Sequence, residues 1–151
     1  MTKAFEDIFY ESADGLTLYA RDYGPSSDQP VVLCMHGLTR NSADFHALAL
    51  GLKDDYRVIS VDQRGRGRSD YDPTPANYRP DIYCADMASL LSHLGLEQVM
   101  AIGTSMGGIM AMMMGAISAN GSDASSTPAS PGGVGRLRRY TAGLEREKGC
   151  R

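Results

Sequence analysis

The sequence has no apolar run long enough to cross a membrane, few cysteines and little net charge. A membrane-spanning helix needs about 18 or more consecutive apolar residues. The first residues, MTKAFEDIFYES, show no basic segment followed by an apolar one, as a secretion signal would require. A net charge of −3 gives no bias toward nucleic acid or anionic lipid. We therefore expect a cytoplasmic protein that binds neither nucleic acid nor membrane.

The three cysteines, Cys34, Cys84 and Cys150, are scattered along the chain. Their spacing is that of neither a disulfide framework nor a metal site. They are most simply interpreted as reduced structural cysteines, with Cys34 inside a buried strand. The sequence therefore predicts no metal site.

Composition divides the chain after residue 117. Residues 1–117 carry nine Lys and Arg against fifteen Asp and Glu, a net charge of −6. Residues 118–151 carry six against three, a net charge of +3, and their only aliphatic residues are Val134, Leu137 and Leu144. So little apolar surface cannot offset the entropy cost of ordering. The segment 118–151 is therefore predicted to be disordered.

Hydrophobic patterning over residues 1–117 predicts alternating strands and helices. Asp14-Gly15 lies between two alternating runs, which indicates a β-hairpin. Buried strands are predicted over 30–36, 56–62 and 98–104, with helices starting at the N-cap Ser42, near Pro80 and at Met106. This order predicts an α/β fold with an N-terminal β-hairpin and a mostly parallel, doubly wound sheet. In such sheets the active site lies beyond the carboxyl ends of the strands.

The motif Gly103-Thr104-Ser105-Met106-Gly107 lies between the third buried strand and a helix. Its glycines leave no Cβ where the chain must turn sharply and pack closely, which exposes the Ser105 hydroxyl on a strained turn. The following helix directs its first amides toward charge that develops beside the serine. The pattern favours Ser105 as a nucleophile, the alternative being a glycine-rich helix entry with an incidental serine.

A second motif, His36-Gly37-Leu38, ends the first buried strand. Gly37 allows the loop to fold back toward the serine. The backbone N–H of Leu38 would then join that of Met106 in binding an oxyanion. His36 is predicted to pack and orient the loop, not to act as the catalytic base.

The arginine-glycine loop DQRGRGRSD, residues 62–70, is the third motif. Gly65 and Gly67 lack the third glycine of a dinucleotide-binding fingerprint, and no helix is predicted to start there. The loop is therefore predicted to be architectural, with Asp62 and the arginines tying the turn together.

The segments VVLCMHG, VISVDQRGRGRSD and VMAIGTSMGG, in this order, resemble the α/β-hydrolase superfamily. They look most like its bacterial esterase, lactonase and C–C hydrolase branch. The resemblance runs from about Phe5 to Ile117 and implies the N-terminal half of that fold. It implies a cofactor-free enzyme that acts on a small ester, lactone, thioester or activated ketone through an acyl-enzyme on Ser105. The amides of Leu38 and Met106 would form its oxyanion hole. It argues against the epoxide-hydrolase and haloalkane-dehalogenase relatives, whose nucleophile is an aspartate.

In this family the catalytic acid and histidine follow the nucleophile along the chain. Here all three histidines, His36, His46 and His93, precede Ser105. His46 is predicted on a helix face, and His93 as a solvated or capping side chain. We therefore expect this chain to be inactive or nearly so.

The change of composition after Asn120 leads to the hypothesis of a frameshift or truncation, the alternative being a genuine disordered tail. On this interpretation residues 1–117 form a partial α/β-hydrolase domain and residues 118–151 an out-of-frame tail. Strand 98–104 would then be an exposed apolar edge through which the chain could self-associate. Two other functions stay open: a non-catalytic fragment or small-ligand binding module that keeps the oxyanion pocket, and an acyltransferase.

Overall fold

The computed structural model describes residues 3–25, 27–119 and 134–138. Short 3-10 helices at Ser42–Phe45 and Pro75–Asn77 precede the first and second α-helices. None of the described helices is both long and apolar enough to span a membrane. The main elements in chain order are β1 (Glu6–Glu11), β2 (Thr17–Asp22), β3 (Val31–Met35), α1 (His46–Leu52), β4 (Arg57–Asp62), α2 (Pro80–His93), β5 (Gln98–Gly103), α3 (Met106–Ala119) and β6 (Val134–Arg138).

The strands form one sheet in the order β1-β2-β4-β3-β5-β6. At its centre β3 pairs in parallel with β4 on one side and with β5 on the other. The hairpin β1–β2 joins this parallel core through an antiparallel pairing of β2 with β4. The predicted α/β sheet with an N-terminal hairpin is confirmed. Because β3 and β5 are adjacent and parallel, the loops that follow them meet at the same edge.

Helices cover both faces of the sheet. On one face, α2 and α3 pack their buried Met87, Leu90 and Met110 in one cluster with Leu33 and Ile59. Each side chain of this size stabilises the fold by about 1.5–3 kcal/mol when it is fully buried. The 3-10 helix Ser42–Phe45 and α1 contribute to a second cluster on the opposite face. The buried members of this cluster are Tyr23, Val32, Cys34, Phe45, Ala49 and Val58. The sheet is therefore doubly wound, as predicted.

The first helical segment is capped by Asn41, so the prediction of Ser42 as its N-cap is wrong. The Asn41 side chain accepts a hydrogen bond of 2.9 Å from the Ala43 amide. Ser42 is buried, and its amide donates instead to Asp62 Oδ1 at 2.7 Å. Its carbonyl accepts a 2.9 Å bond from Ser60 Oγ. These bonds to β4 hold Ser42 inside the fold, which leaves the preceding residue as the cap.

Two described segments lie within the predicted tail, residues 118–151. Helix α3 continues through Ala119, and residues 134–138 form β6, antiparallel to β5 with Val134 opposite Ile102. An open strand edge presents unpaired N–H and C=O groups, which a further strand can satisfy. The edge of β5 is therefore paired over β6, not exposed as predicted. The rest of the predicted tail, with Cys150, lies outside the described residues.

Candidate active site

Ser105 lies between the carboxyl end of β5 and the first residue of α3. Its backbone has a conformation that residues other than glycine rarely adopt. Its φ is +53°, and it alone among the described non-glycine residues has a positive φ. Hydrogen bonds hold this turn on both sides: Thr104 N donates to Met35 O at 3.1 Å, and Gly108 N donates to Ser105 O at 2.9 Å. A strained residue persists only where its surroundings over-determine it, and such residues cluster at functional sites.

The glycines of the serine motif are required by close approach of the backbone. A Cβ on Gly103 would overlap the main chain of Gly107 in the first turn of α3. A Cβ on Gly107 would overlap the carbonyl oxygen of Met35 and lie 2.6 Å from its carbonyl carbon. Helix α3 therefore begins in direct contact with the end of β3. This contact places the start of the helix, where the Met106 amide is unpaired, beside the loop that follows β3.

We name that loop, residues 36–38, the oxyanion loop after its predicted role. A Cβ on Gly37 would lie 3.6 Å from Ser105 Cβ, so the loop passes directly beside the serine. Leu38 follows with 57 % of its surface exposed. Within the described part of the chain, the amide N–H groups of Leu38 and Met106 have no hydrogen-bond acceptor. The two predicted oxyanion donors are thus unpaired, one in the residue that follows Ser105 and the other in the loop that passes beside it.

His36 is buried and fixes the oxyanion loop to the loop after β4. Its Nδ1 lies 2.7 Å from Gly37 O, and its Nε2 accepts a 3.0 Å hydrogen bond from the Gln63 amide. The side-chain amide of Gln63 returns a 2.9 Å bond to His36 O. This pattern requires a neutral ring with its proton on Nδ1. Burial lowers the pKa of His36, in keeping with that neutral state. His36 lies where the sequence predicted a loop-orienting residue.

We expect the stability of the chain to fall as pH drops below about 6.5, the ordinary His pKa, because His36 must stay neutral in the folded state. The unfolded chain protonates this histidine at a higher pH than the folded chain does. Between the two pKa values, the free energy of unfolding therefore falls by up to about 1.4 kcal/mol for each pH unit. Urea unfolding at pH 7.5 and 5.5 measures the loss. Between these two pH values, a His36→Asn variant should lose less stability than the wild type does. A His93→Gln variant should lose as much as the wild type. Equal losses in all three chains would contradict the assignment.

The other two histidines lie away from the serine. His46 begins α1, and its Nδ1 is 2.9 Å from the hydroxyl of Tyr23. His93 ends α2, with its ring 6.4 Å from that of Tyr10. Among the described residues, no histidine or carboxylate is hydrogen-bonded to Ser105. This part of the chain thus holds a strained serine with two free amides and no base in contact with it.

A cavity of about 420 Å³ opens beside the serine. Two of its apolar side chains, Ile109 and Met112, project from successive turns of α3 and are 47 % and 39 % exposed. A group bound to Ser105 would therefore extend along an apolar wall. The cavity is lined by Ile102, Gly103, Thr104, Ser105, Gly108, Ile109 and Met112.

The arginine-glycine loop is architectural, as predicted. Asp62 accepts hydrogen bonds from the Ser42 amide at 2.7 Å and from the Arg68 amide at 2.8 Å. One role of the loop was missed by sequence reasoning. Arg66 Nε donates a 2.9 Å bond to the carbonyl oxygen of Leu38, in the oxyanion loop. No local pattern signals this contact, because the two residues are 28 positions apart.

Comparison with known proteins agrees with the fold. A family model described as alpha/beta hydrolase fold matches residues 30–120. The 3-hydroxybutyrate-oligomer hydrolase of Cupriavidus necator is 41 % identical over 91 residues, covering 60 % of this chain and 31 % of that protein. The 2-(acetamidomethylene)succinate hydrolase of Mesorhizobium japonicum is 38 % identical over 92 residues, covering 61 % and 31 %.

Solved structures match as well. A crystal structure of an alpha/beta hydrolase from Novosphingobium aromaticivorans superposes with a TM-score of 0.73 and 44 % identity, over 77 % of this chain and 41 % of that one. In each comparison the matched region is a minority of the other protein. The chain aligns with about a third of the length of these curated relatives.

Proposed function

Because the chain belongs to the alpha/beta hydrolase family, we propose that Ser105 is the nucleophile of a serine hydrolase. The observation that carries the proposal is the positive φ of Ser105 at the turn from β5 into α3. This conformation presents the side chain at the carboxyl edge of the sheet, where the free amides of Leu38 and Met106 lie. The names of both curated relatives describe hydrolases, which supports the reaction class.

The proposed substrate is a small ester, lactone, thioester or activated ketone. Ser105 Oγ attacks its carbonyl carbon, and the carbonyl oxygen becomes an oxyanion that the amides of Leu38 and Met106 bind. Collapse of this intermediate expels the leaving group, which takes up the proton that Ser105 loses, and leaves the acyl group on Ser105, from which water releases it. The apolar wall of Ile109 and Met112 suits an acyl chain better than a charged one.

We further propose that the 151-residue chain by itself hydrolyses such substrates slowly or not at all. All three histidines lie among the described residues and none contacts Ser105, so in that part of the chain no base is placed to take the hydroxyl proton during attack. Loss of the base in a serine hydrolase costs about a million-fold in turnover, and an oxyanion hole with binding alone retains about 10³–10⁴ over water. Rapid, Ser105-dependent turnover of p-nitrophenyl butyrate would contradict this part of the proposal.

The test of Ser105 itself is covalent labelling. Prolonged incubation with excess alkyl fluorophosphonate should add one phosphonyl group to the wild-type chain, with the Ser105 peptide carrying the mass increase. Ser105→Ala should remain unlabelled, since it lacks the oxygen that displaces fluoride. Ser92→Ala removes an exposed hydroxyl of α2 and should label like the wild type. Absence of labelling in the wild type, or its persistence in Ser105→Ala, would overturn the nucleophile assignment.

A second candidate function is a binding module for small carboxylates. Two observations favour this module: the amides of Leu38 and Met106 are free, and among the described residues no base contacts Ser105. A carboxylate would accept hydrogen bonds from Leu38 and Met106 without any chemistry. Saturable binding of butyrate by a monomer, lost in a Leu38→Pro variant that removes one N–H, would support the module.

A further inference from the structure

Arg66 joins the oxyanion loop to helix α2. Its Nε donates to Leu38 O at 2.9 Å, and its Nη1 donates to the hydroxyl of Tyr83 at 3.1 Å. The same Nη1 lies 3.0 Å from the carbonyl oxygen of Arg64. Tyr83 is a buried residue of α2, so its hydroxyl is a fixed acceptor. One guanidinium thus connects three segments of the chain.

Aromatic rings hold this guanidinium in place. Its central carbon lies 5.2 Å from the ring centroid of Tyr83 and 5.7 Å from that of Tyr78. Both distances are within the range in which a cation is attracted to a ring face. A planar, forked donor between two rings loses little freedom when it binds a carbonyl, which a lysine in this place would not match. The bond to Leu38 O is therefore directed by a rigid support.

The two peptide groups on either side of the Leu38 Cα are both held by hydrogen bonds to their oxygens. His36 Nδ1 at 2.7 Å and the Arg40 amide at 3.1 Å both bind Gly37 O, which belongs to the same peptide group as the Leu38 N–H. Arg66 binds Leu38 O, which belongs to the next peptide group. Because each peptide group is planar, fixing both oxygens leaves Leu38 little freedom in φ and ψ. The direction of the Leu38 N–H then follows from the bonds to these two oxygens, of which Arg66 supplies the one to Leu38 O.

We propose that Arg66 is a positioning residue for the reaction at Ser105, acting through the backbone of Leu38. The inference rests on the proposed function, because it assigns the Leu38 N–H as an oxyanion donor. Arg66 itself contacts neither Ser105 nor substrate. Loss of the Arg66 side chain leaves the Leu38 N–H present but lets this donor turn away from the oxyanion. The effect appears in the chemical step and not in substrate affinity.

Arg68 provides a matched control in the same loop. It is also an arginine of the Gly-Arg-Gly-Arg segment, but its side chain lies against the β1–β2 hairpin. Its guanidinium is 3.1 Å from Asp7 and stacks at 4.5 Å on the ring of Tyr19. Arg68→Met therefore removes the same charge and a comparable stacking contact without touching the oxyanion loop.

The experiment compares the wild type, Arg66→Met, Arg66→Ala and Arg68→Met by the rate of fluorophosphonate labelling of Ser105. Removing one oxyanion donor outright costs about 10²–10³ in rate. For a misdirected donor we expect about a tenfold slower maximal rate in both Arg66 variants, with unchanged half-saturation by the probe. Millimolar ethylguanidinium should restore part of the rate to Arg66→Ala. Arg68→Met should label like the wild type. Labelling of Arg66→Met at the wild-type rate would overturn the proposal.

A second readout does not depend on the reactivity of Ser105. The ¹H–¹⁵N heteronuclear NOE of the Leu38 amide should fall in Arg66→Met and stay at the wild-type value in Arg68→Met. If the wild type itself is not labelled, the proposed nucleophile fails and this NOE still decides whether Arg66 orders Leu38. An unchanged NOE in Arg66→Met would overturn the positioning role whether or not Ser105 reacts.

Discussion

The Gly107→Ala chain is expected to lose a large part of its free energy of unfolding. A single methyl group at this position overlaps the Met35 carbonyl oxygen, lies 2.6 Å from the Met35 carbonyl carbon and 3.0 Å from His36 O. These atoms are backbone at the end of a central strand, so no side chain can rotate away from the clash. Overpacking that forces backbone shifts costs about 1–3 kcal/mol and sometimes more. We expect at least about 3 kcal/mol here, a large part of the stability of a small domain.

Urea unfolding followed by far-UV circular dichroism measures the effect, with Gly51→Ala as the matched control. Gly51 lies in α1, and a Cβ there would meet no atom within 4 Å. Alanine in a helix is about 1 kcal/mol more favourable than glycine, so this control should unfold at a higher urea concentration. If Gly107→Ala unfolds at the wild-type midpoint, α3 does not pack against the end of β3 as described.

Arg64→Met is expected to cost about 3–5 kcal/mol, since it leaves buried carboxylates without their cation. The Arg64 side chain is 1 % exposed and binds Asp86 through two bonds, Nε–Oδ2 at 2.8 Å and Nη2–Oδ1 at 2.6 Å. It also binds Asp72 at 2.6 Å and Asp14 at 2.9 Å. The three carboxylates come from α2, the loop before it and the hairpin turn. One arginine therefore ties together segments that the sheet alone does not connect.

Two measurements test this assignment. Urea unfolding should separate Arg64→Met from Arg68→Met, whose arginine is exposed and whose loss should cost less than about 1 kcal/mol. In the folded protein, hydrogen bonds from Arg64, the larger cause, and from Ser12 lower the pKa of Asp14 to about 2 from the ordinary 3.8. Where Arg64→Met remains folded, an NMR titration should return the Asp14 pKa toward 3.8. A value that stays near 2 would show that Arg64 is not its partner.

Much of the fold was predictable because its signals are local. The apolar runs around Leu33, Ile59 and Ala101 are buried strands, as continuous hydrophobicity in a parallel sheet requires. Asp14-Gly15 forms the hairpin turn, with Gly15 at a φ of +89°. Pro80 starts α2, at the position where a missing N–H costs nothing. The wrong N-cap has a physical reason as well. By local sequence Asn41 and Ser42 are equally suitable caps, and the choice is made by Asp62, a distant residue that binds the Ser42 amide.

Sequence by itself determined the order of strands and helices as far as α3, the turn that carries Ser105 and the family that shares it. These depend on residue periodicity and on glycines at short spacing, which act through neighbours in the chain. Only the tertiary structure decided which side chains support the site: His36 bonded to Gln63, and Arg66 bonded to Leu38. Such partners lie 27 and 28 residues apart, and the strand order brings them together. Hydrogen bonds between distant residues leave no periodic trace in the sequence, because any donor within reach of the acceptor can satisfy it.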